Sequence, residues 1–459
     1  QHYFPSSDGS DVELHADVLL PEGLAAGEQM PVILSVGAYF GHSGQQALEN
    51  HAHTGPSNRF NDLIEGTDLF NRGYALVMVD LRGFGGSTGC LDFMGPGEQA
   101  DVKAAIDWAA SQPWSTGAVG MYGKSYDAIT GLVGNNLDQD ALKAVVAQEP
   151  IWNLHRSAWS NGVPRSTIVD VSRTYNEIAI LPQLPDDDER YRTNAAYEQV
   201  NPLCLPLNSL GYQDADPDSE FWQFRDLAWH AKGTDTPLLF TQGFLEWKAE
   251  AEAVEEFLAN HQGPQRGWLG PWEHYRGNDR TADGKLEMGR EGWFNEVMSF
   301  YDQYLKGIEP TVDYPAYVVQ DSTGAWRAQD TWPVVEYPAT IALGGGSYLD
   351  DGLLADPATE APNRFFVWSQ PLGQSVRITG TPWVSLEIEG HGNVMVELYD
   401  VAPDGSAVAF NRQVAVVKPG TTSFDLRSTD WTLQTGHALA VEIGTIQPSL
   451  APDNDWIDT

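Results

Sequence analysis

The sequence predicts an α/β fold in which a parallel sheet carries an inserted helical segment and is followed by a separate all-β sandwich. Apolar runs of strand length alternate with helical patterns over residues 1–150, which is typical of a parallel sheet covered on both faces. Residues 151–232 are rich in Trp, Tyr, Asn and Pro and contain no aliphatic run of strand length. From residue 312 onward, short alternating strands and turns replace the helical patterns.

The predicted elements follow one another in a regular order. A hairpin at residues 1–20 precedes apolar runs that indicate strands buried on both faces, at residues 31–36, 74–79, 118–122 and 142–148. Helical patterns separate these strands at residues 59–72, 97–111 and 128–133. The alternation resumes with strands at residues 237–242 and 267–269 and helices at residues 248–260 and 291–306. We therefore assign residues 1–150 and 233–311 to the core, 151–232 to a helical lid and 312–459 to the sandwich.

The chain is strongly acidic, with 64 Asp and Glu residues against 26 Lys and Arg residues and a formal net charge of -38. Such a surface repels phosphates, so we expect no nucleic acid and, without a local basic site, no nucleoside triphosphate to bind. The default explanation of this acidity is that a charged surface keeps the protein soluble. Basic polypeptides and amines are the partners that an acidic surface could attract. No run approaches 18 consecutive apolar residues, so we expect no membrane-spanning segment.

The sequence contains two cysteines, Cys90 and Cys204. We expect them either to form one disulfide in an exported protein or to be two buried thiols in a cytoplasmic one. The chain begins at Gln1 without a methionine or a leader, which indicates either a removed signal segment or a trimmed sequence. We expect a secreted or exported protein, with the cytoplasm as the alternative location.

The turn Gly123-Lys124-Ser125 joins the strand at residues 118–122 directly to a helix. A serine at the apex of such a turn is exposed beside helix N-terminal amides, which suits a nucleophile that attacks a carbonyl carbon. The motif departs from G-x-S-x-G because Asp127 replaces the last glycine. It also misses the phosphate-binding loop, because Ala118 replaces the first glycine of that motif. A nucleophile, a plain glycine turn and a nucleotide-binding loop are therefore all open interpretations.

Two later loops supply the partners that a serine nucleophile requires. Glu246 follows the strand at residues 237–242, and His274 follows the strand at residues 267–269. Serine, acid and histidine, each after a strand, occur in this order in hydrolases built on a parallel sheet. We expect His274 to be the general base and Glu246 its orienting acid, with Glu273 and Asp279 as the other acid candidates.

The oxyanion that forms during acyl transfer needs two hydrogen-bond donors. The backbone amide of Tyr126 is the first, and the hydroxyl of Tyr39 is the candidate for the second, with plain packing as its alternative role. His51 and His53 have no third ligand at a metal-binding spacing, so we assign them to a surface loop. We expect no metal ion and no organic cofactor.

Four motifs together resemble the family of X-prolyl dipeptidyl-peptidases and cocaine esterase, which are serine hydrolases. They lie at residues 80–89, 120–126, 243–247 and 270–274. The resemblance implies an α/β-hydrolase core, an inserted helical lid and a C-terminal jelly roll. It also implies that Ser125 is the nucleophile, His274 the base and Tyr39 a hydroxyl donor to the oxyanion. Glu246 stands where this family commonly carries an aspartate.

The same family contains peptidases that release Xaa-Pro dipeptides and esterases that act on aryl or amino-acid esters. Because Gly123-Lys124-Ser125-Tyr126 resembles the peptidases, we expect an Xaa-Pro dipeptidyl-peptidase that releases N-terminal dipeptides. The free ammonium group of such a substrate would bind to buried carboxylates. Glu149 is the main candidate for this contact, with a solvated carboxylate at the rim as its alternative role, and Asp127 and Trp152 are further candidate substrate-binding residues. The alternatives are a hydrolase of small esters, of the cocaine esterase or amino-acid ester hydrolase type, and an inactive binding scaffold. A homo-oligomer is a further option.

Overall fold

The computed structural model describes residues 1–44, 52–166, 171–350, 363–447 and 456–457. Its strands are β1 (His2–Pro5), β2 (Glu13–Leu19), β3 (Met30–Gly37), β4 (Ala75–Asp80), β5 (Ser115–Lys124), β6 (Leu142–Gln148), β7 (Trp159–Ser160), β8 (Val163–Pro164), β9 (Leu238–Gly243), β10 (Gln265–Gly270), β11 (Tyr317–Gln320), β12 (Trp326–Gln329), β13 (Arg364–Trp368), β14 (Val376–Gly380), β15 (Trp383–Ile388), β16 (Gly392–Val401), β17 (Ala407–Val417), β18 (Gly420–Asp425), β19 (Thr429–Leu433) and β20 (Ala438–Gly444). Its helices are α1 (Asn61–Thr67), α2 (Pro96–Ser111), α3 (Tyr126–Leu137), α4 (Leu154–Ala158), α5 (Val171–Ala179), α6 (Glu189–Ala195), α7 (Tyr197–Val200), α8 (Cys204–Tyr212), α9 (Glu220–Gln223), α10 (Leu227–His230), α11 (Val254–Asn260) and α12 (Trp293–Lys306).

The central sheet of the described chain has the strand order β1-β2-β4-β3-β5-β6-β9-β10-β11-β12. Neighbours from β4 to β11 run parallel, whereas β1, β2 and β12 close the two edges in antiparallel pairing. Every residue of β3, β4 and β9 is buried, as expected of strands with helices on both faces. The predicted α/β core is therefore confirmed.

The central sheet extends further along the chain than the sequence predicts. We assigned everything after residue 311 to the sandwich, but β11 adds to the central sheet in parallel with β10, and β12 pairs with β11. The two strands are short and separated by a turn, so their sequence looks like that of an antiparallel hairpin. Only pairing with a distant strand reveals that they belong to the core. The other domain limits stay predictions.

The segment between β6 and β9 carries the short helices α4 to α10 and the small β7–β8 hairpin. This is the mainly helical insertion that its aromatic-rich, strand-poor composition predicts. The insertion lies against the first part of the core: Asn194 Nδ2 donates hydrogen bonds to Glu13 Oε2 and to the Gly86 carbonyl, each at 2.9 Å. In the described residues we find no helix with the length and apolar character needed to cross a bilayer.

The C-terminal region consists of antiparallel strands, as the alternating sequence predicts. β13, β20, β16 and β17 form one sheet in that order, β14 pairs with β19, and β15 pairs with β18. Their inward side chains form a second hydrophobic core, whose buried members include Val394, Phe410, Trp431 and Ile443. Leu245, the residue before Glu246, packs against this second core. The all-β region thus supports a loop of the candidate active site.

Cys90 and Cys204 form a disulfide that joins the loop after β4 to the start of α8. The bond ties the helical insertion to the core across a sequence separation of 114 residues. A cross-link that closes a long loop restricts the unfolded chain and so stabilises the folded one.

Replacing both cysteines with alanine is expected to lower the free energy of unfolding by about 2–5 kcal/mol, because the loop is no longer closed in the unfolded chain. Urea unfolding, followed by tryptophan fluorescence with and without dithiothreitol, measures the effect. The reductant should destabilise the wild-type protein and leave the double variant unchanged. Equal unfolding midpoints of the two oxidised proteins would contradict this prediction.

Candidate active site

Ser125 occupies the sharp turn between β5 and α3. Its backbone has φ 62° and ψ −123°, a conformation that costs energy for a residue with a side chain. Two contacts hold it: the Ser125 amide donates to the Gln148 carbonyl at 2.9 Å, and the Ser125 carbonyl accepts from Ile129 N at 2.9 Å. A Cβ atom at Gly123 would stand 2.3 Å from the backbone of Asp127, so the turn requires glycine there. The result is a serine held at the start of a helix.

Glu246 and His274 are joined by a hydrogen bond of 2.5 Å between Glu246 Oε2 and His274 Nδ1. The other carboxylate oxygen of Glu246 accepts the backbone amides of Lys248 at 2.5 Å and Ala249 at 3.1 Å. Burial by itself would raise the pKa of Glu246, but the charge of His274 and these hydrogen bonds lower it below the ordinary value. The carboxylate is therefore ionised and oriented toward the histidine ring.

The pKa of His274 is lowered, mainly by burial. The charge and hydrogen bond of Glu246 act in the opposite direction, whereas the positive charges of Lys124 and Lys248 lower the pKa further. At neutral pH the ring is therefore uncharged and able to accept a proton. This is the state that a general base needs.

Gln148, the last residue of β6, connects the loops of Ser125 and His274. The backbone carbonyl of Gln148 accepts a hydrogen bond from the Ser125 amide. The side-chain oxygen of Gln148 accepts a hydrogen bond of 3.0 Å from the amide of Gly277, which lies in the histidine loop. The strands that precede the loops of Ser125, Glu246 and His274 are β5, β9 and β10, and their carboxyl ends lie at one edge of the sheet. That edge is where open α/β sheets place their ligands.

Tyr39 and Tyr126 lie beside the serine. Tyr126 is the first residue of α3, so its backbone N–H is one of those that a helix leaves without an internal acceptor. The Tyr39 hydroxyl makes hydrogen bonds with the Ser125 side chain and, at 2.6 Å, with the hydroxyl of Tyr175. Burial raises the pKa of Tyr39, so its hydroxyl keeps the proton that it could donate.

Arg59 is a residue of this site that the sequence reasoning missed. Its Nε donates to Asp127 Oδ2 at 2.5 Å, and its Nη2 donates to the carbonyl of Lys124 at 3.2 Å. Its guanidinium also lies 4.2 Å from the ring centre of Tyr39. Arg59 thus braces the serine turn and the tyrosine together. The sequence offers no signal for it, because Arg59 simply begins a predicted helix.

Asp127 and Glu149 are not where we expected substrate-binding carboxylates. Asp127 is 1% exposed and paired with Arg59, and Oδ1 of Asp127 faces the backbone so closely that a Cβ at Gly37 would collide with it. Glu149 is fully buried and accepts hydrogen bonds from Thr241, Gly243 N at 2.7 Å and a tryptophan ring N–H. Burial, reinforced by the charge of Glu246, raises the pKa of Glu149 to about 8. Neither carboxylate presents a free face to a substrate.

Trp152 is likewise a core residue. It is fully buried, donates its ring N–H to Gln242 at 2.7 Å and packs against Phe240 and Phe257. The other acid candidates also lie apart from the histidine pair: Glu273 is exposed, and Asp279 accepts the amide of Arg276 within its own loop. Of the acid candidates, Glu246 is the one in hydrogen-bond contact with His274. His53 is exposed, and His51 lies outside the described residues.

Comparison with known proteins agrees with the family resemblance of the four sequence motifs. The family model of the X-Pro dipeptidyl-peptidase (S15 family) matches residues 8–276, which is more than half of the chain. A Bacillus cereus protein named "Putative Xaa-Pro dipeptidyl-peptidase" is 22% identical over 448 residues, covering 84% of this chain and 72% of the relative. The cocaine esterase of a Rhodococcus species is 25% identical over 304 residues, covering 60% of this chain and 52% of the relative.

Among solved structures, an alpha-amino acid ester hydrolase superposes with a TM-score of 0.72. The match covers 99% of this chain and 90% of the other chain at 20% sequence identity. At this identity the likeness shows a shared fold, which is that of an α/β hydrolase with an all-β C-terminal region.

Proposed function

Since the chain belongs to the X-Pro dipeptidyl-peptidase (S15) family and is a serine hydrolase, we propose that Ser125, His274 and Glu246 are its catalytic triad. The observation that carries this proposal is the His274–Glu246 hydrogen bond at the sheet edge where the strained Ser125 turn lies. A serine at a strand-to-helix turn, a neutral histidine and a buried carboxylate are the parts that acyl transfer requires.

Each residue has a defined role in this proposal. His274 accepts the proton of Ser125 Oγ while that oxygen attacks the carbonyl carbon of the substrate, and Glu246 stabilises the imidazolium that forms. The resulting oxyanion accepts hydrogen bonds from the Tyr126 amide and the Tyr39 hydroxyl. His274 then returns its proton to the leaving group, and a water molecule, deprotonated by the same ring, releases the acyl group from Ser125.

The acid limb of the pH–rate profile follows from the lowered pKa of His274. Because only the neutral ring accepts the serine proton, kcat/KM should fall only below the ordinary histidine pKa of 6.5. Lys248→Gln removes a positive charge that lowers this pKa, so its acid limb should lie at higher pH than that of the wild type. pH–rate profiles of ester hydrolysis measure the acid limb of the wild type and of the variant. Lys285→Gln, which removes an exposed lysine, is the control and should not shift the acid limb. A shift of the Lys248→Gln limb to lower pH would contradict the assignment.

For the substrate, we propose esters or acylated amines that lack a free ammonium group next to the scissile bond. The two carboxylates that the sequence suggested for an ammonium contact, Asp127 and Glu149, are buried with internal partners. Two positive charges, Lys124 and Lys248, act on His274 and would repel an ammonium group. An Xaa-Pro dipeptidyl-peptidase is the second candidate, favoured by the family match and by the name of the Bacillus relative.

Initial rates on p-nitrophenyl butyrate, Gly-Pro-p-nitroanilide and its N-succinyl derivative separate the two candidates. We expect the ester to be cleaved, and the succinylated anilide to be cleaved at least as fast as the free amine. Ser125→Ala should lower every rate by about 10⁵-fold or more. Ser111→Ala, which removes an exposed serine at the end of α2, should change none. Faster cleavage of the free-amine anilide would overturn the ester proposal and establish the dipeptidyl-peptidase.

Location outside the cytoplasm is also part of the proposal. The Cys90–Cys204 bond supports it, because structural disulfides persist in oxidising compartments. Ester-hydrolase activity in the exported fraction of the producing cells tests it, and activity confined to the cytoplasmic fraction would refute it.

A further inference from the structure

A buried cluster of two histidines and three aspartates lies where the first strands of the sheet meet the helical insertion. His15 and Asp17 are two residues apart on β2 and so point to the same face of the strand. His42 comes from the loop after β3, Asp80 ends β4, and Asp187 lies two residues before the start of α6. The cluster includes no member of the proposed triad.

Three side chains of this cluster turn metal-binding atoms toward one point. The ligand-type atoms of His15, Asp17 and His42 all lie within 4.8 Å of one another. His42 Nε2 is 3.1 Å from Asp17 Oδ2, and His15 Nε2 is 3.8 Å from Asp17 Oδ1. His15 is 1% exposed, and its Nε2 has no hydrogen-bond partner among the described residues. A buried polar atom without a partner is costly, so this nitrogen calls for a ligand.

The opposite nitrogen of each histidine is held by a carboxylate. His15 Nδ1 lies 2.8 Å from Asp80 Oδ2, and His42 Nδ1 lies 2.6 Å from Asp187 Oδ2. A carboxylate that accepts the Nδ1 proton leaves the lone pair on Nε2 and fixes the ring orientation. In the metal-bound state both lone pairs would face the ion beside Asp17, and the ion would replace the hydrogen bond of 3.1 Å between His42 Nε2 and Asp17 Oδ2. Histidine ligands of metal ions are generally supported by an outer carboxylate or carbonyl in this way.

The cluster also has an excess of negative charge. Asp17, Asp80 and Asp187 are 2%, 0% and 6% exposed, and their ion pairs in the described part of the chain are with His15 and His42 alone. Burying several carboxylates without a cation is unfavourable. Charging one imidazole would compensate one carboxylate, whereas a divalent cation would compensate two and leave both rings neutral.

We propose that His15, Asp17 and His42 bind one divalent transition-metal ion, most naturally Zn²⁺. Two imidazole nitrogens and a carboxylate oxygen match the ligand preference of zinc. Bonds of about 2.0–2.2 Å place zinc ligands roughly 3–3.5 Å apart, so the separations of up to 4.8 Å between the ligand atoms must shorten by about 1–2 Å at most. The remaining coordination position falls to water or to the second oxygen of Asp17.

The ion would act as a structural link between the core and the helical insertion. Asp187 belongs to the insertion, and so does Tyr191, whose ring stacks on His42 with 4.0 Å between ring centres. The Tyr191 hydroxyl also accepts the backbone amide of His42 at 2.9 Å. Fixing His42 therefore fixes the start of α6. A metal that binds the folded protein and not the unfolded one raises stability in proportion to its occupancy.

Zinc binding by the whole chain tests this proposal. The protein is stripped with EDTA, incubated with Zn²⁺ and passed through gel filtration, and the retained metal is measured by mass spectrometry. We expect one zinc per chain and a higher melting temperature for the wild type, and loss of both in His15→Gln. His53→Gln, which removes an exposed histidine outside the cluster, is the matched control and should behave as the wild type. Retention of equal zinc by His15→Gln, or of none by the wild type, overturns the proposal.

Two further measurements do not depend on loss of a ligand. Asp187→Asn keeps all three ligands but weakens the support of His42, so zinc affinity should fall about 10–100-fold. Co²⁺ bound to the wild type in place of Zn²⁺ should give a visible absorption band that EDTA removes. A protein whose spectrum shows no such band, or an Asp187→Asn variant with unchanged affinity, counts against the site.

Discussion

Ser125→Ala is expected to lower kcat/KM for ester hydrolysis by about 10⁵–10⁶-fold, because without the serine oxygen no acyl-enzyme can form. The residual rate would come from the oxyanion donors and from substrate binding. Steady-state rates at high enzyme concentration measure the loss, and absence of labelling by a fluorophosphonate checks that Ser125 is the nucleophile. A residual activity above about 1% of wild type would exclude this role.

Glu246→Gln should cost about 10³–10⁴-fold in kcat/KM although its side chain has the same shape. Oε1 of Glu246 accepts two backbone amides, so a glutamine must keep its oxygen there and present its NH₂ group to His274. The ring then has to accept at Nδ1 and carries its proton on Nε2, which is the wrong tautomer for removing a proton from Ser125.

The two substitutions should not be additive, because serine and acid act as one unit. Ser125→Ala combined with Glu246→Gln is expected to be no slower than Ser125→Ala alone, within about threefold. Glu256→Gln, which removes a half-exposed carboxylate on α11, is the control and should retain wild-type rates. Additive losses would show that Glu246 affects activity through something other than the triad.

Arg59→Met is expected to lower the free energy of unfolding by about 3–5 kcal/mol, because it leaves the buried carboxylate of Asp127 without its cation. The side chains of Arg59 and Asp127 are 7% and 0% exposed, so water cannot replace the lost partner. Burial raises the pKa of Asp127, and Arg59 at present opposes that rise. In the variant the carboxyl should bind a proton in the folded state more readily than in the unfolded state.

The sign of the pH dependence follows from this rise in pKa. An acidic group whose pKa is raised by folding makes the folded protein less stable as pH increases. The loss of unfolding free energy in Arg59→Met should therefore be larger in mildly alkaline than in mildly acidic buffer. Adding Asp127→Asn should recover part of the loss and remove its dependence on pH. Urea unfolding of the three proteins measures these effects.

An exposed ion pair provides the matched control. Arg156 and Glu256 are 48% and 37% exposed, and Arg156→Met should cost less than about 1 kcal/mol. If Arg59→Met cost no more than Arg156→Met, the buried pair would not be the brace that its geometry indicates. Because Arg59 also lies over Tyr39, its loss should lower kcat as well as stability.

The amino-acid sequence was sufficient for features that depend on neighbouring residues. Continuous apolar runs predict the buried parallel strands, and the alternating pattern near the end of the chain predicts the antiparallel region. The glycine-flanked turn at Ser125 and the later loops with Glu246 and His274 could be predicted because each directly follows a strand. Parallel strands end at one edge, so their order along the chain already indicates a shared site.

The tertiary structure alone decided the features that depend on distant pairs. Arg59 and Asp127 are 68 positions apart, and His42 and Asp187 are 145 positions apart, so no local pattern links them. Glu149 was misjudged for the same reason: its position after a strand is local, but its burial results from the neighbouring strand and the histidine loop. A sequence determines period and turn chemistry, whereas burial and ion pairing depend on which segments the whole fold brings into contact.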